Sequence, residues 1–341
     1  MTPVARAMVL MLLLATLSSE GKPKPSLVLC VSNESSGQLS LVDLKGRAVI
    51  ATIPVGKRPR GLRVVPGGRE LMVAVSGSPR VPPGVEESTL PPPDRSADGL
   101  AVIDLSTRKL TRTLASGDDP QTFDLSRDGA RAFVSNEDAG LLSIIEVATG
   151  HKLGTVTVGA EPDGVTLSPD GRTLFVTSES ESQVFVIDIP TRAVVARIPT
   201  GKGPRAITLS HEGTKAWVSN ELEGTLTTID LAARKAVSQL TLPPNSQPMG
   251  LALSPDGERL YVTTGRGGSL VIVDARKDSV LQTLADVGAR PWGVAISHDG
   301  KWVVTANGSS NDVTIIDAAR NKVVARVPAG ENPWGVVFLE P

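Results

Sequence analysis

Short apolar runs rich in Val, Ile and Thr alternate with polar turns along almost the whole chain. Runs of this length and composition predict β-strands, and no stretch beyond the N-terminal segment carries a 3.6-residue apolar period. The strands are organised into a repeat. A proline, usually followed two residues later by Gly, precedes a strand at Pro59, Pro120, Pro162, Pro204, Pro248, Pro291 and Pro333. From Pro120 onward the spacing is about 42–44 residues, and the Pro59–Pro120 gap is one unit plus an insertion. A period of roughly 40–45 residues with several short strands per unit is the signature of a β-propeller.

One unit, residues 158–200, reads as four strands. Strand A is Val165-Thr166-Leu167, B is 173–177, C is 183–187 and D is 193–198. Ser168-Pro169-Asp170-Gly171 turns the chain between A and B, and Asp188 opens the turn between C and D. The same aspartates recur in the other units and are expected to cap turns. The C-terminus supplies only a strand A, Pro333 to Leu339, whereas residues 27–53 supply B, C and D. The predicted fold is therefore all-β, a seven-bladed propeller closed by one C-terminal strand plus three N-terminal strands. Closure of this kind removes the open sheet edge.

Length and charge add limits. The chain has 341 residues, 35 basic and 36 acidic, so it lacks the basic excess of a dedicated nucleic-acid or anionic-membrane binder. Residues 1–20 combine Arg6 with an apolar run from Ala7 to Leu17, too short to span a bilayer, and read as a secretory signal. The propeller then covers residues 26–341, and the location expected is periplasmic or secreted, with no transmembrane segment after cleavage. Cys30 is the only cysteine, so no internal disulfide forms; it occupies the place of Phe133 and Trp217 in other repeats and is expected to be a buried hydrophobe.

The alternation of strands sorts the loops onto two faces. The loops entering A and joining B to C share one face, which carries the variable residues. Flanking the prolines there are Arg58, Arg60, Asp119, Glu161, Asp163, Arg205, Arg290, Trp292 and Trp334. The ends of the B strands add Asn33, Glu34, Asn136, Glu137, Glu179, Asn220, Glu221 and Asn307. The expected ring has an acidic arc (Asp119, Glu161, Asp163) facing a basic and aromatic arc (Arg290, Trp292, Trp334, Arg58, Arg60). Arg and Trp together offer flat faces for stacking and hydrogen bonding. The Pro-rich insertion 77–98 lies between B and C of its blade, on the same face.

Several chemistries lack their residues. The three histidines, His151, His211 and His298, share no metal-ligand spacing, and two of them fall in turns of the opposite face. There is no haem-attachment motif, nucleophile elbow or phosphate-cradling loop. No cofactor and no resident metal is expected. A divalent ion held by Glu137, Glu161, Asp163 and Glu179 is left open.

The units resemble the YVTN family of β-propeller repeats. Tyr261-Val262-Thr263-Thr264, Phe175-Val176-Thr177-Ser178, Phe133-Val134-Ser135-Asn136 and Trp217-Val218-Ser219-Asn220 carry its tetrapeptide in degenerate form. More narrowly, Ala289-Arg290-Pro291-Trp292-Gly293, Asn332-Pro333-Trp334-Gly335 and the segment 305–312 resemble bacterial exported and periplasmic seven-bladed propellers, including the group associated with quinoprotein (PQQ) catabolism. The resemblance implies a fold and no particular reaction. The function expected is a non-catalytic, monomeric propeller that binds a protein or small-molecule ligand on the proline face. The alternatives are a lactonase-type hydrolase using the acidic arc, or a single-stranded nucleic-acid binder using Arg58, Arg60, Arg205, Arg290 and the tryptophans.

Overall fold

The computed structural model describes residues 27–80 and 85–339; the signal-like segment 1–20 lies outside them. Seven four-stranded antiparallel sheets make up the chain. Blade 1 contains strands Leu62–Val64, Glu70–Val75, Gly99–Asp104 and Lys109–Leu114, and blades 2 to 6 follow in order. Blade 7 takes its strand A, Pro333–Leu339, from the C-terminus and pairs it with Val28–Asn33, Cys30 opposite Val337. Each strand A touches the A strands of both neighbouring blades, which closes the ring around a central channel. Among the described residues no helix is long and apolar enough to cross a membrane.

Burial explains why the strands read as they do. B and C strands lie between two neighbouring blades and are buried on both faces, so they are nearly continuous apolar runs. D strands form the outer rim and are largely exposed, as in Lys235–Thr241. Successive side chains of one strand point to opposite neighbours. Thus Leu71, Val73 and Val75 pack with blade 7, while Met72 and Ala74 pack with blade 2. The result is seven apolar clusters, one at each junction between blades. Cys30 is fully buried in one of them, and burial pushes its thiol far up.

Two polar devices repeat through the ring. The turn aspartates cap the chain as their spacing predicts: Asp188 accepts from Thr191 N–H at 2.9 Å and Asp170 from Arg172 N–H at 3.0 Å. A hydroxyl near the end of strand B staples each of five blades to the next. Ser32, Ser135, Thr177, Ser219 and Thr263 donate to the carbonyls of Arg60, Asp163, Arg205, Met249 and Trp292 at 2.6–2.7 Å. Those carbonyls belong to the residue after each repeat proline. A Gly two residues after the repeat proline of the preceding blade permits the approach: a Cβ at Gly164 would lie 2.4 Å from the Arg205 carbonyl.

Candidate functional site

The residue before the repeat proline sets the mouth of the channel. Arg58, Asp119, Glu161, Arg290 and Asn332 all adopt left-handed backbone, with φ between 42° and 55°. That conformation costs a non-glycine residue about 1–2 kcal/mol. A bond within the same blade offsets it. The first residue after strand B donates its N–H to the pre-proline carbonyl: Glu34 to Asn332, Glu137 to Asp119, Glu179 to Glu161 and Glu221 to Gly203, at 2.8–3.0 Å. One repeated hydrogen bond therefore brings four glutamates to the same level of the ring.

Two guanidinium groups, one buried and one half-buried, organise these acids. Arg60 is 2% exposed and lies 3.4 Å from Glu34, 3.2 Å from Asp119 and 3.6 Å from Glu137. Arg205 lies 2.6 Å from Glu179, 2.8 Å from Glu221 and 3.6 Å from Asp163. Arg58 pairs with Glu34 at 3.0 Å and donates to the Ser78 carbonyl at 2.6 Å. Six carboxyl groups thus surround three arginines, and the excess acid has a consequence. Burial pushes Glu137 up to about 8, with Arg60 opposing and Asp119 and Asp163 adding to the rise. Burial likewise pushes Glu179 up to about 7 against the pull of Arg205. Asp163 is raised by burial as well. At Glu34, Arg60 and Arg58 outweigh burial and hold the carboxyl below its usual range.

The opposite arc is aromatic. Trp292 and Trp334 stack with centroids 6.1 Å apart and planes 23° apart, and the Arg290 guanidinium lies 4.7 Å over Trp292. Gly308 occupies the place held by glutamate in four other blades. A Cβ there would lie 3.0 Å from Trp292 Cδ1, so glycine makes room for the indole. The acid and aromatic arcs enclose a mouth cavity of about 210 Å³. Asp163, Arg205, Trp292 and Trp334 also line a channel cavity of about 150 Å³ beneath it.

The structure revises part of the expected residue set. Asn33, Asn136, Asn220 and Asn307 do not reach the mouth. They are buried and donate to the hydroxyls of Ser40, Ser143, Thr227 and Thr314, each at 2.9 Å, tying strand B to strand C. Glu161 is exposed and accepts from Ser180. Arg58 and Arg60 lie among the acids rather than opposite them, because ring closure sets blade 1 between blades 7 and 2. Together with Arg205 they pair with carboxylates, whereas Arg290 stays on the aromatic arc. Of the four carboxylates left open for a divalent ion, Glu137 lies against Arg60, Asp163 and Glu179 lie against Arg205, and Glu161 is exposed. Among the described residues, no three His, Cys, Asp or Glu side chains converge to hold a metal. Arg80 enters the mouth from the insertion, as does Gln121 from blade 2. Arg80 lies outside the repeat register, so its sequence position carries no signal.

Comparison with known proteins follows the same lines. The family described as lactonase, 7-bladed β-propeller, matches residues 159–323, just under half of the chain. Comparison with curated proteins returned no match. Among solved structures, the periplasmic gluconolactonase of Pseudomonas aeruginosa is 22% identical, with TM-score 0.73 over 93% of this chain and 99% of that one. A Bacteroides fragilis protein provisionally described as a 6-phosphogluconolactonase is 17% identical, with TM-score 0.74 over 94% and 100%. Hydrazine synthase of Kuenenia stuttgartiensis is 21% identical, with TM-score 0.70 over 81% and 88%. At these identities the likeness is one of fold. The lactonase match corrects the expectation of a non-catalytic binder, because the family it points to is one of hydrolases.

Proposed function

We propose that the protein is a lactonase-type hydrolase acting on a sugar-derived lactone at the mouth of the channel. The observation that carries this reading is Glu137, pushed up to about 8 in a cavity walled by stacked indoles, with Glu179, pushed up to about 7, held at its edge by Arg205, which lines the same cavity. Two carboxyls with separated values at neutral pH divide the acid and base roles. Glu179, the more readily ionised, takes a proton from water as the water oxygen bonds to the lactone acyl carbon. Arg60 Nη1, buried without a hydrogen-bond partner and 3.6 Å from Glu137, is the donor this reading assigns to the carbonyl oxygen as charge develops there. The acyl C–O bond then breaks, and protonated Glu137 gives its proton to the ring oxygen, releasing the hydroxy acid. Trp292 and Trp334 supply a flat wall for the sugar ring.

Arg80, Arg266 and Arg290 form no ion pair among the described residues, and Arg290 is held below its ordinary value by burial and then by the other two. This favours a substrate bearing a negative charge. Two of the similar folds carry names of sugar lactonases, one of them periplasmic. That agrees with the signal-like residues 1–20 and with work outside the cytoplasm. The finer kinship with exported YVTN-type propellers rests on the tetrapeptides and Pro-Trp-Gly segments and stands as part of the same proposal.

The test is direct. Purified protein is assayed in a pH-stat against glucono-1,5-lactone and 6-phosphogluconolactone, with spontaneous hydrolysis subtracted. Turnover that is lost in Glu137→Gln and Glu179→Gln with the fold intact supports the reading. Absence of turnover on both lactones, or full activity in both variants, overturns it.

A further inference from the structure

A second and larger cavity opens beside the mouth. It measures about 610 Å³ and lies between the loop Glu34–Gly37 of blade 7 and the insertion of blade 1. The two spaces adjoin, since Glu34, Arg58 and Arg80 line both. The mouth falls below the range of about 300–1,000 Å³ usual for small-molecule sites, whereas the outer cleft lies within it.

The cleft is a built feature rather than a gap under a loose loop. The two ends of the insertion meet where Asp94 N–H donates to Gly77 O at 3.0 Å. A Cβ at Gly77 would lie 1.8 Å from the Asp94 carbonyl oxygen, so only glycine closes this base. Asp98 accepts from Gly77 N–H at 2.7 Å and from Asp119 N–H at 3.2 Å, joining the insertion to the acid cluster. Arg95 bridges Asp98 and Asp138, and Lys57 pairs with Asp94 at 2.7 Å.

The lining has a consistent chemistry. No large aliphatic or aromatic side chain contributes; serine hydroxyls, glycine backbone, proline rings and the charged Glu34, Lys57, Arg58, Arg80 and Asp94 do. Ser36 Oγ is buried there without a hydrogen-bond partner. A buried hydroxyl in that state costs free energy that a ligand hydroxyl relieves. With the Asn332 amide turned to donate to Gly308 O, its oxygen accepts from Arg80 Nη1 at 2.8 Å, which holds Arg80 at the lip between the two spaces. Hydrogen-bonding groups interleaved with proline rings match a polyhydroxylated ring, polar at its edge and C–H on its faces.

We infer that the outer cleft is a second sugar subsite, so that the substrate is an aldobionolactone, a lactone carrying a further sugar residue. The lactone ring occupies the mouth against Trp292 and Trp334, and the second ring lies beside Ser36 and Arg80. This inference rests on the lactonase reading for the mouth, but the subsite is measurable without turnover.

The experiment titrates cellobionate and gluconate, the hydrolysis products of a disaccharide and a monosaccharide lactone, into the full chain. Binding is followed by calorimetry and tryptophan fluorescence, and kcat/KM is measured on the two parent lactones. Cellobionate is expected to bind roughly tenfold tighter than gluconate, the gain of one or two added hydrogen bonds. Ser36→Ala and Arg80→Ala, each with an unchanged melting temperature, should each weaken cellobionate several-fold and narrow the gap to gluconate. Equal affinities, binding of neither acid at millimolar concentration, or a gap that survives both substitutions overturns the subsite. Selective cellobionate binding without hydrolysis of either lactone overturns the lactonase reading and leaves the subsite standing.

Discussion

The position after the repeat proline behaves differently in two halves of the ring. In blades 1 to 4 it holds Arg60, Gln121, Asp163 and Arg205; in blades 5 to 7 it holds Met249, Trp292 and Trp334. The main chain is alike in both halves, since the carbonyls of Arg60, Asp163, Arg205, Met249 and Trp292 all accept a hydroxyl from the preceding blade. The side chains diverge. The first half gathers five acids of its own, and Glu34 from blade 7, around Arg58, the buried Arg60 and Arg205, and the second builds an indole wall under a half-buried Arg290. The difference separates two duties at one position: the backbone holds the ring, and the side chain is left to make the site. A symmetric fold can therefore carry an asymmetric cavity.

The largest effect expected is on the layer that both halves share. Deleting residues 334–341 removes strand A of blade 7 and exposes the edge of Val28–Asn33. Loss of the cooperative thermal transition, with aggregation read by light scattering, is the expected outcome. An unchanged transition would show that closure does not depend on the C-terminal strand.

Next come the halves themselves. Arg60→Met takes the buried guanidinium away from Asp119 and leaves Glu34 only its pair with Arg58, and should cost about 3–5 kcal/mol of stability by denaturant unfolding. The half-buried Trp292→Ala should cost clearly less. If the two substitutions prove equally destabilising, the division into a charged, locked half and an adaptable half fails.

The acid half also predicts two pH effects. Turnover should rise as Glu179 ionises near pH 7 and fall as Glu137 loses its proton near pH 8, giving a narrow bell. Glu137→Gln and Glu179→Gln should each lower kcat about 10²–10⁴-fold. Stability runs the other way. The folded form binds these protons more tightly than the unfolded chain, whose glutamates have the ordinary value of 4.5, so stability falls as pH rises from about 4.5 to about 8. Glu137→Gln should therefore flatten that slope and raise the melting temperature at pH 8. An unaltered slope across pH 5 to 8 would mean that Glu137 is not proton-bearing in the native mouth.

In the aromatic half, Trp292→Ala should weaken binding of a lactone-derived acid by about 2 kcal/mol, measured by calorimetry. The smallest effect belongs to the opposite face. Arg276→Ala breaks an exposed pair with Glu258 at 3.2 Å and should leave both stability and kcat/KM within about 0.5 kcal/mol and twofold. A larger loss there would place functional groups on the turn face.

The blades, their turns and the split seventh blade were legible because each rests on short-range chemistry. Asp170-Gly171 turns a chain wherever it stands, and an apolar run buried on both faces looks the same in every blade. The glutamates after strand B were legible for the same reason, since one loop geometry repeats. The asparagines beside them were misjudged as mouth residues. Adjacent in sequence, Asn33 and Glu34 point apart: the strand buries the Asn33 amide on Ser40, and the loop lifts Glu34 toward Arg60. Arg80 gave no sign, because it lies in an insertion that follows no period.

The sequence by itself determined the architecture, the face that bears the variable residues and the membership of most of the cavity. Periodicity and turn residues specify those locally, whatever lies across the ring. Which charges meet was decided only by the tertiary structure. Arg60 of blade 1 collects acids from blades 7 and 2, and Arg205 collects acids from blades 3 and 4. Their desolvation, and with it the raised Glu137 and Glu179, arises from the summed burial of seven blades. That is a property of distance through space, and spacing along the chain does not encode it.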